Sequence, residues 1–543
     1  MKKIYICPTK LQRSWKTFLL TIFCSGFLSF NSFAQQITFQ KTYGGTNDDR
    51  GLCVKQTTDS GFIIAGRTSS FGTAYNDVYL IKADANGDTV WTKTFGGSNY
   101  DEGYAVQQTI DGGYIIAGDT HSFGAGYWDV YLIKTDANGD TVWTKTLGSV
   151  GGFARSVQQT VDSGYVIVGW TDSPGGGPSN SDIYVIKTDA NGNVLWSKIF
   201  GGSDGEWASS VQQTADWGYI IVATTYSFGG AGGNSQDIYF IKMDANGNLI
   251  WTKIFRRIGQ DVGLSVQQTA DGGYVIAGYT VNSSGGGVCL IKTDANGDTL
   301  WTKTYEGNGA YSVQQTTDGG YIIAGHAYGF GAGGGDIYLI KADANGDTLW
   351  TKTYGGSSYD GGFSVQQTAD GGYVIAGTTY SFSAGDYDVY LIKCDSLGNS
   401  GCNEGGTNCI ISSPTFQVII PPTIVYSDTA IVNSPPTIIG SGGIVTTLCT
   451  TVGIPILQSS IFNLQFSPNP LTTRSKLTFK NPNKEKFLFT LYDITGRVTE
   501  SVSTTNNEII LTKGSKQAGV YLFNLVNEKT GERWNGKIVI SDK

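Results

Sequence analysis

A repeat of about 50 residues limits the folds that are open to this 543-residue chain. The turn Asp-Ala-Asn-Gly occurs six times and is followed by a degraded seventh copy, Asp-Ser-Leu-Gly. The first Asp of these copies lies at positions 84, 136, 189, 244, 294, 343 and 395. Each repeat holds four short apolar segments separated by turn signals, which is the strand content of one β-propeller blade. The sequence therefore predicts an all-β fold, a seven-bladed β-propeller, over residues 35–400.

The repeats are offset from the ends of the predicted ring. The segment Val-x-Gln-Thr begins at seven positions, whereas the Trp of the last segment in each repeat occurs only six times. The missing copy is Phe39–Gly45 (FQKTYGG), which aligns with Trp91–Gly97 (WTKTFGG). We therefore expect residues 37–43 to pair with residues 388–394 and close the ring. Such a closure removes the open edge of a sheet.

The recurrent turn predicts a hairpin and no bound ion. An EF-hand alignment of the second copy places Lys134 at position 1 and Lys145 at position 12, where carboxylates must ligate calcium. Asn and Gly in this order favour a tight hairpin turn instead. With only two His in the chain, a His-built metal site or a Ser–His pair is disfavoured. We expect no cofactor and no metal.

The segment Asp136–Trp143 (DANGDTVW) resembles the repeats of quinoprotein-type propellers. Those repeats likewise combine an Asp…Gly turn with a Trp on the outer strand, although the turn here is one residue shorter. The resemblance concerns the repeat architecture alone. It implies a propeller and no particular activity.

Residues 1–34 predict a secretory signal peptide. Five basic residues precede an apolar stretch from Thr17 to Phe30, which is too short to span a bilayer. Ser32-Phe33-Ala34 fits the small-x-small cleavage rule, and loss of five cations takes the formal net charge from −8 to −13. Such an acidic chain is poorly suited to nucleic acid or anionic membranes. We expect no nucleic-acid partner and no transmembrane segment in the mature chain.

Six cysteines remain after cleavage, and four of them lie close together near a domain junction: Cys394, Cys402, Cys409 and Cys449. An oxidising compartment permits disulfides. Their spacing lacks the paired C-x-x-C knuckles of zinc sites. The sequence does not fix which cysteines pair.

The repeats can be compared with one another to separate scaffold from variable positions. The residue after Ile-Ala-Gly, or its equivalent, is Arg67, Asp119, Trp170, Thr224, Tyr279, His326 or Thr378. Since this residue follows the second strand, its seven copies are expected to surround the axis on the face that carries the long, variable loops. We predict that Arg67, Asp119, Trp170, Tyr279 and His326 bind a ligand, either a glycan or a protein. Unconstrained variation of loop residues is the alternative.

A second variable loop is rich in carboxylates: Asp48, Asp49, Asp101, Glu102, Asp204, Glu206, Asp261 and Asp360. Paired carboxylates can hydrolyse glycosidic bonds when their separation is suitable. A carbohydrate-active hydrolase is therefore the alternative to a non-enzymatic binding module, and a structural surface repeat protein is a third hypothesis. The chain contains no nucleophile elbow, P-loop or dinucleotide fingerprint, so an enzyme is not the favoured interpretation.

Residues 401–460 differ from the repeats in composition. They contain no Lys or Arg and only two acidic residues. A seven-residue period runs through PPTIVYS, DTAIVNS and PPTIIGS, from Pro421 to Ser441. Double prolines exclude a helix, so this segment predicts an extended or β-like linker.

Residues 461–543 predict a second, small domain. They carry 12 Lys and Arg against 7 Asp and Glu, a charge opposite to that of the repeats. Alternating strand-like segments bounded by turns indicate a small Ig-like β-sandwich.

Four motifs in this tail are Ser467–Pro470 (SPNP), Leu491–Val498 (LYDITGRV), Ala518–Leu522 (AGVYL) and Gly536–Ile540 (GKIVI). In order and spacing they resemble the type A C-terminal sorting domain of the type IX (Por) secretion system, although Phe466 stands where Tyr is usual. The resemblance implies a sorting signal that includes Pro468, Asn469, Pro470, Tyr492, Asp493, Gly496, Arg497, Gly519, Tyr521 and Lys537. It also implies the type IX translocon as partner. The implied route is export through Sec and the periplasm of a Gram-negative bacterium, with the protein secreted or held at the cell surface.

Overall fold

The structure of the protein is a computed structural model. It describes residues 36–541 except 74, 125–126, 149–150, 173–180, 229–234, 283–284, 408, 422–423, 429–431, 434–437, 441, 453–464, 468–470, 480, 494–496 and 530–532. The predicted signal peptide, residues 1–34, lies outside the described residues. The described secondary structure consists of strands without a helix, which confirms the predicted all-β class.

Twenty-eight strands of seven to nine residues lie between residues 37 and 394. The first fourteen are β1 (Ile37–Gly44), β2 (Asp49–Gln56), β3 (Phe62–Thr68), β4 (Asp77–Ala83), β5 (Thr89–Gly96), β6 (Asp101–Gln108), β7 (Tyr114–Thr120), β8 (Asp129–Thr135), β9 (Thr141–Leu147), β10 (Phe153–Gln159), β11 (Tyr165–Asp172), β12 (Ser181–Thr188), β13 (Val194–Gly201) and β14 (Glu206–Gln213). The next fourteen are β15 (Tyr219–Thr225), β16 (Asp237–Met243), β17 (Leu249–Arg256), β18 (Gln260–Gln268), β19 (Tyr274–Asn282), β20 (Gly285–Thr293), β21 (Thr299–Glu306), β22 (Gly309–Gln315), β23 (Tyr321–Ala327), β24 (Asp336–Ala342), β25 (Thr348–Tyr354), β26 (Asp360–Gln367), β27 (Tyr373–Thr379) and β28 (Asp388–Cys394).

These strands form seven antiparallel sheets, which we number 1 to 7. Sheets 1 to 6 are β2–β5, β6–β9, β10–β13, β14–β17, β18–β21 and β22–β25, and sheet 7 combines β26–β28 with β1. The N-terminal strand pairs with the last strand of the repeats, Phe39 opposite Lys393, as the offset of the repeats predicts. The first strands contact one another in chain order, and β26 contacts β2, so the sheets follow one another in a closed series.

Apolar cores lie between successive sheets. The third strand of the repeat, for example β8 (DVYLIKT), is buried along its whole length. A strand covered on both faces reads as a continuous apolar run, which is why Val-Tyr-Leu-Ile shows no alternation. One core cluster contains Val166 and Ile183 of sheet 3 together with Ile221 and Tyr239 of sheet 4.

A buried lysine at the end of each third strand fixes the short turn after the first strand. Lys134 Nζ lies 2.9 Å from a carboxylate oxygen of Asp111 and donates to the Thr135 carbonyl oxygen at 2.8 Å. The same ion pair occurs in the other six sheets as Lys82–Asp59, Lys187–Asp162, Lys242–Asp216, Lys292–Asp271, Lys341–Asp318 and Lys393–Asp370. The repeated Thr-x-Asp-Gly-Gly turn is therefore a scaffold element.

The Asp-Ala-Asn-Gly turn is also a scaffold element. Gly139 adopts a φ of 79°, a conformation that glycine tolerates and most residues do not. A Cβ at this position would lie 2.8 Å from Trp91 of the preceding sheet. Six of the seven turns thus rest on the outer-strand Trp of the neighbouring sheet, and the first rests on Phe39 of β1.

Residues 404–452 lie in the segment whose composition predicts an extended or β-like linker, and they pair with the seven sheets. They supply seven strands, which we call the belt: β29 (Glu404–Gly406), β30 (Ile411–Ser412), β31 (Gln417–Ile419), β32 (Ile424–Asp428), β33 (Val432–Asn433), β34 (Ile438–Gly440) and β35 (Ile444–Val452). Each pairs with the outermost strand of one sheet, in the order β25, β21, β17, β13, β9, β5 and β1. The backbone is extended, as predicted, but it covers open sheet edges.

The belt explains the seven-residue period of this segment. Its strands start at residues 404, 411, 417, 424, 432, 438 and 444, so about seven residues carry the chain from one sheet to the next. A disulfide between Cys402 and Cys449, with Cα atoms 6.3 Å apart, joins the two ends of the belt. Among the described cysteines, Cys53, Cys289, Cys394 and Cys409 are free.

The tail forms two antiparallel sheets around a separate apolar core. Its strands are β36 (Gln465–Ser467), β37 (Arg474–Thr478), β38 (Phe487–Tyr492), β39 (Val498–Thr504), β40 (Glu508–Thr512), β41 (Gly519–Asn527) and β42 (Arg533–Ile540). The sheet orders are β36-β37-β40 and β39-β38-β41-β42. Leu477 and Leu511 of the first sheet share one core with Phe489, Phe523 and Leu525 of the second.

Candidate functional site

A cavity of about 950 Å³ lies along the first strands of the seven sheets. The residue two positions before Val in Val-x-Gln-Thr lines it in every sheet, and we call this the axial position. The seven axial residues are Leu52, Tyr104, Arg155, Ser209, Leu264, Tyr311 and Phe363. They comprise five residue types, against six at the predicted ligand-binding position, so a comparison of the repeats could have found them.

Arg155 organises one side of this cavity. Its guanidinium carbon lies 3.5 Å from the ring centre of Tyr104 and 4.4 Å from that of Trp170. Such contacts place a cation against the electron-rich faces of aromatic rings. A hydrogen-bonded ion pair with Asp119 at 2.8 Å holds the guanidinium in place.

Asp119 is 2% exposed, although we predict it as a direct ligand contact. Its carboxylate forms an ion pair with Arg155, so Asp119 positions that arginine and is not exposed to a ligand. Burial raises the pKa of Asp119 to about 7, despite the opposing charge of Arg155. A comparison of the repeats shows that the residue equivalent to Asp119 varies, but it does not show which of the seven side chains are buried.

Arg67 is joined to the same network. It forms ion pairs with Asp48 at 2.9 Å and with Glu102 at 2.5 Å. Glu102 also accepts a hydrogen bond from the Tyr104 hydroxyl. The structure therefore brings Arg67, Asp119 and Trp170 together through residues that the sequence analysis does not assign to ligand binding.

His326 belongs to a second aromatic group. Its ring stacks on Tyr311 at 5.6 Å and contacts Tyr328 and Tyr359 edge-on. Burial lowers the pKa of His326, which favours the neutral imidazole. Tyr279, the fifth predicted residue, is half-buried, and burial raises its pKa.

A continuous run of aromatic rings leads from exposed loops to the cavity. We call it the aromatic path: Tyr75, Tyr100, Trp128, Phe153 and Trp170. Successive ring centres are 4.9, 6.5, 5.6 and 5.1 Å apart. Tyr75 is 44% exposed and Tyr100 is 41% exposed, so the outer end of the path is open to solvent.

The loop carboxylates that suggest a hydrolase largely hold loops in place. Asp101 Oδ2 accepts hydrogen bonds from the Gly97 N–H at 2.8 Å and from Ser122 Oγ at 2.7 Å. Asp49 and Glu206 accept equivalent bonds in sheets 1 and 4. Burial raises the pKa of all three carboxyls, that of Glu206 to about 7.

A second buried carboxylate lies beside several of these acids. Asp388 Oδ1 and Asp49 Oδ2 are both within 3 Å of the point where a Cβ at Gly44 would lie. Burial, opposed by a backbone hydrogen bond and reinforced by the charge of Asp49, raises the pKa of Asp388 to about 6. Asp77 and Asp336 occupy the same place in sheets 1 and 6, also with a pKa of about 6.

No group of three or more His, Cys, Asp or Glu side chains in the described part of the chain is placed to hold a metal ion. Within the same residues, no helix has the length and apolar character needed to cross a membrane.

The predicted sorting residues lie in and around the tail sheets. Tyr492 ends β38, and Asp493 accepts a hydrogen bond from the Arg497 N–H at 3.0 Å. Gly519 begins β41, in which Tyr521 is buried, and Lys537 is exposed on β42. Pro468, Asn469, Pro470 and Gly496 lie outside the described residues.

Comparisons with known proteins give distant structural similarities alone. No family and no curated protein matches the sequence. PorZ, a bacterial surface component of the type IX secretion system of Porphyromonas gingivalis, is 9% identical with a TM-score of 0.39, over 92% of this chain and 60% of PorZ. This chain thus spans about three fifths of the length of PorZ.

Two further solved structures are similar at the same low level. Sqt1 from Chaetomium thermophilum is 10% identical with a TM-score of 0.38, over 62% of this chain and 81% of Sqt1. A thermostable family-43 glycoside hydrolase is 13% identical with a TM-score of 0.26, over 46% of this chain and 89% of the hydrolase. Values this low do not show a shared family.

Proposed function

We propose that this protein is an exported, seven-bladed β-propeller that binds a glycan at the mouth of its axial cavity. The seven sheets, their closed series of contacts and the pairing of β1 with β28 support the propeller assignment. Because of the offset closure, the last blade combines β1 from the start of the repeat region with β26–β28 from its end.

The aromatic path is the observation that carries the glycan assignment. Sugar rings present apolar C–H faces that stack on aromatic side chains, and tyrosine and tryptophan combine such a surface with a polar tip. The path runs from open solvent at Tyr75 to the cavity at Trp170. An elongated ligand could therefore contact several rings in succession.

A binding module fits the chemistry of the site better than a hydrolase does. Asp49, Asp101 and Glu206 are committed to loop hydrogen bonds, and Glu102 and Asp119 are committed to arginines. A glycosidase needs one carboxylate free to donate a proton and another free to act as base or nucleophile. Of the eight loop acids, seven accept hydrogen bonds or form ion pairs of this kind, and Asp204 is exposed.

A glycan array probed with residues 35–543 tests the proposed function. We expect binding to at least one oligosaccharide, and at least tenfold weaker binding by Tyr100→Ala, since loss of about 1.4 kcal/mol is one decade in affinity. Trp217→Gly is the matched control, because Trp217 is 63% exposed in a turn where four other repeats have Gly and two have Ser. If the parent binds no sugar, or if the two variants bind equally, the assignment is wrong.

We further propose that residues 461–543 carry the chain to the cell surface through the type IX translocon. The four sequence motifs and the reversed charge of the tail support this role. Deletion of residues 461–543 in a host with this system should retain the protein in the periplasm. Normal arrival of the truncated chain at the surface or in the medium would contradict the assignment.

A further inference from the structure

Glutamines on the first strands link each sheet to the next around the axis. In sheet 2, Gln107 Oε1 accepts a hydrogen bond from the Gln159 N–H of sheet 3 at 2.7 Å. The same bond joins five other pairs of neighbouring sheets, with acceptors Gln158, Gln212, Gln267, Gln314 and Gln366. These glutamines occupy the x position of Val-x-Gln-Thr, and we call the six of them the amide ring.

Lys55 interrupts the amide ring. It occupies the position that is Gln in the other six sheets, and an ammonium group cannot accept a hydrogen bond. The amide-ring bond between sheets 1 and 2 is accordingly absent from the hydrogen bonds of the described residues, although the Thr58 N–H donates to Gln108 Oε1 across the same boundary at 2.9 Å. Lys55 thus replaces the glutamine of the other six repeats although the replacement loses a hydrogen bond between sheets, which indicates that this position has a specialised role.

Lys55 lines the axial cavity together with Arg155, and these two are the charged residues among its described lining. No carboxylate lines the cavity in that part of the chain, although the whole protein has a formal net charge of −8. The nearby acids Asp119 and Glu102 are each paired with an arginine. Within the described residues, Lys55 has no ion-pair partner within 4 Å.

We propose that Lys55 binds the carboxylate of an acidic oligosaccharide inside the axial cavity. This inference rests on the proposed function, specifies its ligand class and extends the binding site from the mouth into the cavity, since Lys55 lies five residues along β2 from Arg50, the partner of Arg67. The cavity, about 950 Å³, is at the upper end of the range for small-ligand sites. The glutamine side-chain NH₂ groups can donate to sugar hydroxyls, the rings of Tyr104 and Tyr311 offer apolar surface, and the Lys55 ammonium offers a strong, charge-assisted hydrogen bond to a carboxylate.

Lys55→Gln provides a sharp test, because it restores the consensus residue and the missing acceptor. The variant should fold at least as stably as the parent, so a loss of binding cannot be attributed to unfolding. The probes are trimers of galacturonate, glucuronate and mannuronate, each paired with its neutral methyl ester, and affinities are measured by titration calorimetry.

We expect the parent to bind at least one uronate trimer about tenfold more tightly than its ester, a difference of about 1.4 kcal/mol. Lys55→Gln should lose that preference and keep the affinity for the ester. Added salt should reduce the preference in the parent, since it screens charge. The control is Lys93→Gln, which removes a cation whose ion pair with Asp140 lies outside the cavity, and which should leave the preference unchanged.

Three outcomes would overturn the inference. If Lys55→Gln retains the preference for the acid, the anion is bound elsewhere. If the parent binds neutral sugars but gains nothing from the carboxylate, the role of Lys55 is wrong and the proposed function stands. If an acidic peptide binds the cavity and neither the uronates nor their neutral esters bind, both the sugar class and the proposed glycan function fail.

Discussion

The disulfide between Cys402 and Cys449 should contribute strongly to the stability of the ring of sheets. The two residues are separated by 47 positions, and the loop that they close contains the first six belt strands and most of the seventh. In the chain-entropy model, closing a loop of this length lowers the entropy of the unfolded chain by an amount equivalent to about 4 kcal/mol at 25 °C. We therefore expect Cys402→Ser/Cys449→Ser to lower the free energy of unfolding by up to about 4 kcal/mol.

Urea unfolding followed by tryptophan fluorescence measures this change. The denaturation midpoint should fall in the double variant, since stability decreases linearly with denaturant concentration. Reduction should lower the midpoint of the parent to the same value and leave the double variant unaffected. Limited proteolysis should then cut within residues 404–452, because most belt strands pair through only two to five residues each.

Cys409→Ser is the matched control for this experiment. Cys409 lies in the same segment but is free, so its replacement should shift the midpoint little. A double variant within about 1 kcal/mol of this control would refute the argument that loop closure stabilises the fold. Six reactive thiols in the unreduced mature chain would refute the pairing itself.

Two further predictions concern pH and backbone packing. The buried carboxyls Asp77, Asp336 and Asp388 have pKa values of about 6, and those of Asp237 and Glu206 are about 7, against about 4 in an unfolded chain. The stability that these groups contribute is present below pH about 4 and is lost as pH rises towards 7. Urea midpoints measured at constant ionic strength should therefore fall between about pH 4 and 7. A flat or rising profile would contradict the assignment. Gly118→Ala would place a Cβ 1.7 Å from the Glu102 carbonyl oxygen and should lower the free energy of unfolding by about 3 kcal/mol. Gly406→Ala, which has open space around it, is the control and should change the free energy of unfolding by no more than about 0.5 kcal/mol. Equal urea midpoints would show that the backbone at Gly118 relaxes.

The repeats made the strands and their pairing predictable, because seven copies of one pattern average out local ambiguity. The pairing of Phe39 with Lys393 followed from counting strand segments. The belt was missed as a sheet component since strands of two or three residues, such as Ile411–Ser412, carry no periodic signal. Their backbone pairing depends on open edges that lie far away in the chain.

The candidate site was predicted in part. Trp170 lines the cavity, but Asp119 is buried, because variability among repeats does not report burial. Lys55 could have been found by applying the same comparison to Val-x-Gln-Thr, where six copies have Gln and one differs, and Arg155 by applying it to the variable position two residues before Val. The aromatic path could not, since Tyr75, Tyr100 and Trp128 occupy different places in their repeats and meet only in three dimensions.

The position of β1 between β28 and β35 has a consequence for the order of folding. A nascent chain exposes β1 first, yet both neighbours of this strand lie more than 340 residues further along. Contacts of such high sequence separation form slowly, because a long loop must close before they are gained. The first strand therefore cannot pair before residues 388–394 are available, and its other edge stays open until residues 444–452 follow. Until these strands pair, the series of sheets is open and exposes unpaired strand edges and apolar surface. A holdase chaperone would protect the chain most during this interval.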